Sequence, residues 1–246
     1  MDSTLLKGLQ VLERVVADDA PVGVSALART LDLPKSNVHR TLTSLREAGY
    51  LLYDADQRKY FPSLKLAQMG SRVATNFPLR AAVLPALQRL VQQTGESAHF
   101  VCREQNGVVF LANALPPVRI ASVIPDNLSL RWDDSAFGIA LASALPPQAL
   151  AEMNGGDVPD APLQSRLDKA RAAGHAKMPR HDTRRIFEIA VPVRSDWETV
   201  IGAIGITGPA IRFDEAALTE QIARISAAAR TVAESVAGTA GRKEAR

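Results

Sequence analysis

The sequence predicts a two-domain α+β protein: an N-terminal winged helix-turn-helix, a connecting helix, and a C-terminal domain of antiparallel strands with helices packed against them. Three observations predict it. Residues 25–49 hold two short helical patterns that meet at the tight break Leu31-Asp32-Leu33-Pro34. A strand–turn–strand pattern follows at once. From Ser97 onward, apolar runs of strand length are interspersed with helical patterns.

Leu5, Leu9, Leu12 and Val16 predict a first helix with these residues on its inner face, ended by Asp18-Asp19-Ala20-Pro21. Ser25 fits the N-cap of a second helix whose Leu27, Ala28 and Leu31 point inward. The third helix runs from about Pro34 to Ala48. Pro34 suits its first turn, where a missing N–H costs nothing, and Gly49 closes it. Val38, Leu42 and Leu45 anchor one side of this helix. Ser36, Asn37, Arg40, Thr41 and Ser44 occupy the other, with Lys35 and His39 at the margins and no acid before Glu47. Such a face suits the major groove of double-stranded DNA, where Arg reads guanine edges, Asn reads adenine and Ser or Thr holds phosphate. The same spacing also fits an ordinary amphipathic helical hairpin. Residues 50–53 and 59–61 predict the strands of a wing around the turn 54–58. Arg58 and Lys59 there either touch phosphate or are solvated turn charges.

Residues 63–76 predict a connecting helix, and a further helix covers about 79–93 after Pro78. SAHFVCRE, GVVFLANA and VRIASVI read as strands. SAFGIALASAL predicts a helix at about 135–145, with a short helix near 147–153, the loop GGDVPDAP, and a helix at 163–173 ending at Gly174. IFEIAVPV (186–193) and VIGAIGIT (200–207) predict two more strands joined by a polar turn at 194–198. A last helix spans about 214–237, before a tail expected to fray. Gly202, Gly205 and Gly208 suit close packing against a helix or a ligand.

A chain of 246 residues with 46% hydrophobic and 22% charged content is that of a soluble folded protein. The net charge of +3 does not announce a nucleic-acid binder, so charge must act locally, as Lys35, Arg40 and Arg46 allow. The single cysteine, Cys102, excludes an intrachain disulfide and reads as a buried structural thiol. Neither a secretory signal nor an apolar run of membrane-spanning length is present, so a cytoplasmic protein without a membrane partner is expected. His39, His99, His175 and His181 lack zinc spacing, and neither a G-x-S-x-G elbow nor a P-loop occurs. No metal, no cofactor and no enzymatic activity are expected. The rival readings are an enzyme with an incidental helix-turn-helix, and an architectural DNA-binding protein without a ligand. The large C-terminal domain weighs against the second, because dimerisation alone needs far less chain.

The order of parts resembles the IclR family of bacterial transcriptional regulators. The resemblance is carried by KGLQVLERV (7–15), LPKSNVHRTLTSLREAGYL (33–51), LVQQTGESAHFVCREQNGVVFL (90–111), SAFGIALAS (135–143), and EIAVPV with IGAIGITGP (188–209). It implies a DNA-binding domain at 1–63, a linker helix at 64–78 and a GAF-like effector-binding and oligomerisation domain at 79–240. It further implies a homodimer or homotetramer on a palindromic operator, and a small organic effector, commonly a carboxylic acid of carbon catabolism. Residues 1–20 and the linker helix are natural dimer surfaces.

The family's pocket positions fall on Leu130, Ala136, Phe137, Ile186, Glu188 and Gly205. Ser135, Ala136 and Phe137 open a helix whose free N–H groups suit a carboxylate. Trp132 and Phe137 either wall an apolar ligand or belong to the core. The chain departs from the family in three places. Ile139 follows Gly138 where the family usually carries Lys, and the cationic stretch 177–185 replaces an acidic one, favouring an anion or forming a solvated loop. Glu188 would repel a carboxylate; facing inward, it would accept a hydrogen bond from a ligand hydroxyl or amine. Effector binding is expected to shift the population of oligomer arrangements, in repression or in activation.

Overall fold

The structure, a computed structural model, describes residues 3–105, 107–118, 121–125, 128–179, 185–195 and 199–240. It divides into two units, Met1–Thr75 and Asn76–Arg246. In the first, helices α1 (Ser3–Ala17), α2 (Val24–Thr30) and α3 (Lys35–Glu47) lead into the antiparallel hairpin β1 (Leu51–Asp54) and β2 (Lys59–Pro62), and α4 (Leu64–Thr75) follows. Asp32, with φ of +50°, makes the turn between α2 and α3, and Gly49 (φ +79°) ends α3. Gly23, not Ser25, is the N-cap of α2, because the helix already starts at Val24.

Val11, Val15, Leu27, Ala28, Val38, Leu42, Leu51 and Tyr60 form the core of this unit. Burying a side chain such as Leu42 contributes about 1.5–3 kcal/mol. The inner face of α1 differs from the sequence expectation. Leu5, Leu9 and Val16 are 61%, 45% and 51% exposed, while Val11 and Val15 are buried. Two adjacent stripes of α1 have helical spacing. The buried one contains Gly8, where a Cβ would lie 4.0 Å from Thr41 Cγ2, so α1 and α3 approach closely on that side.

The second unit is a six-stranded antiparallel sheet in the order β5-β4-β3-β8-β7-β6, with helices on both faces. Its strands are β3 (Ser97–Glu104), β4 (Gly107–Ala114), β5 (Ser129–Arg131), β6 (Ala176–Pro179), β7 (Ile186–Arg194) and β8 (Val200–Pro209). Its helices are α5 (Pro78–Thr94), α6 (Ala136–Ala144), α7 (Pro147–Met153), α8 (Ala161–Ala173) and α9 (Glu215–Ala240). Two of these strands contradict the sequence reading. The VRIASVI segment is not a strand among its described residues; Ile124 is buried, but the edge strand is β5, further on. Residues 176–179, expected to begin a cationic loop, pair with β7 as the other edge strand; 180–184 lie outside the described residues. Residues 196–198 of the turn before β8 and 241–246 of the tail also lie outside them, while α9 continues to Ala240.

Alternation along the strands divides the side chains between the two faces of the sheet. Phe100, Ile189, Ile204 and Ile206 face α5 and α9, with Leu87, Leu90, Ile225 and Val232. The opposite face carries Val101, Ala190 and Ala203 beneath α6. Every residue of α6 is buried. Small residues let it sit this close. A Cβ at Gly205 would lie 2.0 Å from Ile189 O, and one at Gly138 would lie 2.0 Å from Trp132 O. Gly138→Ala is therefore expected to destabilise the protein by about 1–3 kcal/mol through forced backbone movement. Gly70→Ala in α4, where nothing lies within 4 Å, is expected to stabilise it by about 0.5–1 kcal/mol. Urea denaturation of the two variants beside the parent checks both signs.

Candidate DNA-binding helix and candidate effector site

Pro34 precedes α3 in an extended conformation (φ −57°, ψ 134°) and starts it at Lys35. Val38 and Leu42 hold the helix to the core, so Lys35, Ser36, Asn37, His39, Arg40 and Ser44 are exposed together. Thr41 is half-buried and turns toward Gly8 of α1, so of the predicted reading face it is the member drawn inward. At the wing, Asp54 Oδ1 accepts from the backbone N–H groups of Asp56 and Gln57, each at 2.9 Å. This local turn presents Arg58, in a left-handed conformation, and the half-buried Lys59 beside it. Lys65 Nζ donates to Ala48 O at 2.7 Å and sits over the Tyr50 ring, fixing the start of α4 against the end of α3. Arg40 and Lys35, with no acid on their face, suit contact with nucleic acid phosphates and base edges.

In the second unit, the residues predicted for an effector converge around the start of α6. A 3₁₀ turn, Trp132–Asp134, leads into the N-cap Ser135, whose hydroxyl accepts from Gly138 N at 3.0 Å. Glu188, 1% exposed on β7, accepts from Ala136 N through Oε2 at 2.8 Å. The free helix terminus expected from the sequence is thus corrected at these two N–H groups: a serine and a glutamate of the chain itself engage them. A carboxylate is favourable there, because the aligned peptide dipoles leave partial positive charge at the N-terminus. Phe137 meets Phe110 and His99 edge-to-face, and Trp132 is buried in the same cluster, so both aromatic rings are core. Gly205 lies beneath Phe137. Leu130 packs half-buried on the edge of this cluster, and Ile186 is half-buried at the start of β7, opposite Pro209.

Sequence reasoning passed over three residues that the sheet joins to this site. His99 is fully buried on β3. Its Nδ1 lies 2.7 Å from Asn113 Oδ1, and its Nε2 lies 2.8 Å from Thr207 Oγ1. Asn113 Nδ2 donates to Ile124 O at 2.9 Å, which leaves Oδ1 as the acceptor and assigns the proton to His99 Nδ1. In the neutral ring, Nε2 then accepts from the Thr207 hydroxyl. Thr207 stands directly opposite Glu188 in the β7–β8 register. A row of polar residues therefore crosses four strands beneath α6, from Asn113 to Glu188. The available signal was His99 within an apolar run, which a test for zinc spacing alone does not use.

The surroundings offer little for nucleophilic or metal chemistry. Burial pushes the Cys102 thiol up to about 12, with Glu104 adding to the effect, so this thiol stays protonated. Among the described residues, no group of His, Cys, Asp and Glu is placed to hold a metal ion. Burial works against ionisation of Asp133, yet hydrogen bonds and the charges of Arg131 and Arg166 hold its carboxyl below the ordinary value.

A winged helix-turn-helix unit followed by an α/β unit with a polar row under one helix defines a two-domain DNA-binding regulator. Comparison with known families gives the same class. The family pattern described as "Bacterial transcriptional regulator IclR C-terminal" matches residues 71–234, and the "IclR helix-turn-helix domain" matches residues 4–55. The chain belongs to the IclR family of transcriptional regulators. It is 27% identical over 239 residues to the glycerol operon regulatory protein of Streptomyces griseus, covering 90% of this chain and 94% of that protein. In fold it is similar to an IclR family transcriptional regulator from Brucella abortus (TM-score 0.81, 20% identity, 95% of this chain and 92% of that one). It is also similar to an IclR homologue from Microbacterium hydrocarbonoxydans solved in complex with 4-hydroxybenzoate (TM-score 0.68, 23% identity, 96% of this chain and all of that one). Such relatives are regulators rather than enzymes, and among the described residues no helix is long and apolar enough to cross a membrane.

The capping carboxylate can be tested directly. Glu188→Ala leaves the buried Ala136 N–H without its acceptor and is expected to cost about 1–3 kcal/mol. Glu188→Gln keeps an acceptor oxygen and is expected to cost less. Thermal and urea melts of the two variants measure the difference, and equal losses would remove the capping role.

Proposed function

We propose that this protein switches transcription in response to a small organic effector bound beneath the start of α6, with α3 reading one half of a palindromic operator. The observation that carries the effector reading is the polar row from the half-buried Asn113 through the fully buried His99 and Thr207 to Glu188, set against the apolar cluster beneath α6. Buried polar groups cost stability unless they have partners, and convergent polar groups in an apolar setting are the usual form of a small-molecule site. The bound 4-hydroxybenzoate of the Microbacterium homologue supports the same size of ligand. Glu188 alters the chemistry to expect. With a carboxylate of the chain already at the α6 terminus, the effector is a small organic acid that also brings a hydroxyl or amine, the donor facing Glu188. A catabolic acid of this kind fits best. Leu130, Ile186 and Gly205 complete the shape of the site, and Trp132, Ser135, Ala136 and Phe137 hold its roof.

The operator contacts belong to Lys35, Ser36, Asn37, His39, Arg40 and Ser44, with Thr41 at the α1 side and Arg58 and Lys59 on neighbouring phosphates. Arg40→Ala is expected to weaken specific operator binding by about 1–3 kcal/mol and to relax sequence preference. Fluorescence-anisotropy titrations with operator and random duplex at fixed salt check this. Unchanged specific binding would withdraw Arg40 from base contact. The same titrations, repeated with a panel of hydroxy and amino acids, test the effector: none altering the operator affinity would overturn the switch.

A homodimer supplies the second recognition helix, and the exposed Leu5, Leu9 and Val16 of α1 are the apolar surface we assign to it. Leu5→Lys combined with Leu9→Lys is expected to lower the mass found by light scattering and to weaken operator binding at least tenfold, about 1.4 kcal/mol. As a DNA-binding regulator, the protein would act in the cytoplasm.

A further inference from the structure

A groove of about 240 Å³ runs between α8 and β6, on a side of the second unit that the proposed switch does not use. Its floor is Ile139, Ala170, Ala173, Ala176 and Met178. Its rim is Arg166, Lys169, His175 and Lys177, and no acidic residue lines it among the described residues. The spacing on α8 explains part of this. Residues 166, 169, 170 and 173 recur at helical spacing and face the groove together. Asp168 lies on another face of the same helix, where Arg171 Nη1 holds it at 2.8 Å and Gln164 at 2.9 Å. Asp133 is held by Arg131 at 2.9 Å, and its charge also acts on Arg166. The guanidinium of Arg166 is positioned by Asp133 O at 3.0 Å and by the sulfur of Met178 at 3.4 Å. Gly174, in a left-handed conformation, turns the chain so that His175 follows at the rim, its Nδ1 donating to Ala173 O at 3.0 Å.

We propose that this groove binds a small organic anion with an apolar body, such as a single-ring or short-chain carboxylate, at a site separate from the one beneath the start of α6. Arg166, Lys169 and Lys177 gather at one rim, only Arg166 with a carboxylate, Asp133, acting on its charge, and a bound anion relieves the repulsion that remains among the three. The apolar floor adds hydrophobic contact for a ring or chain, which separates such a ligand from a bare inorganic anion. The size sets an upper limit, since pockets for drug-sized ligands begin at about 300 Å³. Ile139, from α6, keeps the inner end of the floor apolar.

Isothermal titration of the full chain with three probes tests the site: benzoate, benzamide as the uncharged ring, and inorganic phosphate as charge without an apolar body. Benzoate is expected to bind saturably below about 10 mM, with benzamide and phosphate each weaker by at least about fivefold. Lys169→Glu combined with Lys177→Glu changes two exposed side chains and is expected to weaken benzoate at least about tenfold. Lys169→Gln with Lys177→Gln, which adds no charge, is expected to fall between. Circular dichroism of each variant confirms folding. Absence of saturable benzoate binding overturns the proposal. So does benzoate bound equally by parent and charge-reversed protein, which would place it elsewhere. Phosphate bound as tightly as benzoate overturns the role of the apolar floor. A charge-reversed variant that loses operator affinity while keeping benzoate would make the rim a DNA contact instead. The effector response in operator titrations is read separately, so failure here leaves the switch under α6 standing or falling by its own experiment.

Discussion

The close approach of α6 to the sheet is the constraint on which the second unit depends. A helix buried on every side has no solvent face, so its backbone ends must find partners inside the protein. Ser135 and Glu188 supply them at the N-terminus. Ala190, Ala203 and Gly205 keep the sheet surface low enough for the helix to lie on it. Larger residues on those strands would lift α6 and part Glu188 from Ala136. The same approach encloses His99 and Thr207, giving polar groups with satisfied partners and no direct route to water. A polar network with its partners in place makes this part of the core rigid.

The first unit solves a different problem with fewer residues. A small core fixes α3 by two deeply buried side chains, Val38 and Leu42, and frees the rest of its surface for contact. The left-handed residues Asp32 and Gly49 bound that helix, so its length and its presentation follow from local backbone geometry. Division of labour follows. The outer face of α3 carries no structural duty, whereas the polar groups beneath α6 do. In the switch proposed above, coupling between the two units requires a ligand that binds one arrangement of the protein better than another.

Much of this was legible in the chain. The recognition helix, the wing, α5, α7, α8, and the paired strands β3, β4, β7 and β8 are marked by periodicity, by Pro at helix starts and by Gly at helix ends. The misreadings share a cause. On α1, two apolar stripes had equal periodicity, and only packing against Thr41 chose the one containing Gly8. VRIASVI has strand-like composition, yet its described residues lie outside the sheet, while the short edge strands β5 and β6 have too few residues to establish a period. Around the start of α6, family resemblance pointed to Leu130, Ala136, Phe137, Ile186, Glu188 and Gly205, and the helix-start pattern to Ser135. Asn113 and Thr207 gave no signal, because an amide or hydroxyl in a strand becomes notable only when its neighbour across the sheet is known.

By itself the sequence determined most of the helices, the four long strands of the sheet, and that α3 presents cations and amides on a face without acids. Those properties depend on residues a few positions apart, within reach of one another whatever the rest of the chain does. Tertiary structure alone decided that Glu188, 52 residues beyond Ala136, caps α6, and that Thr207, 108 residues beyond His99, completes its hydrogen bonds. Such pairings arise from strand register and from the helix seated above it, and no local pattern encodes them.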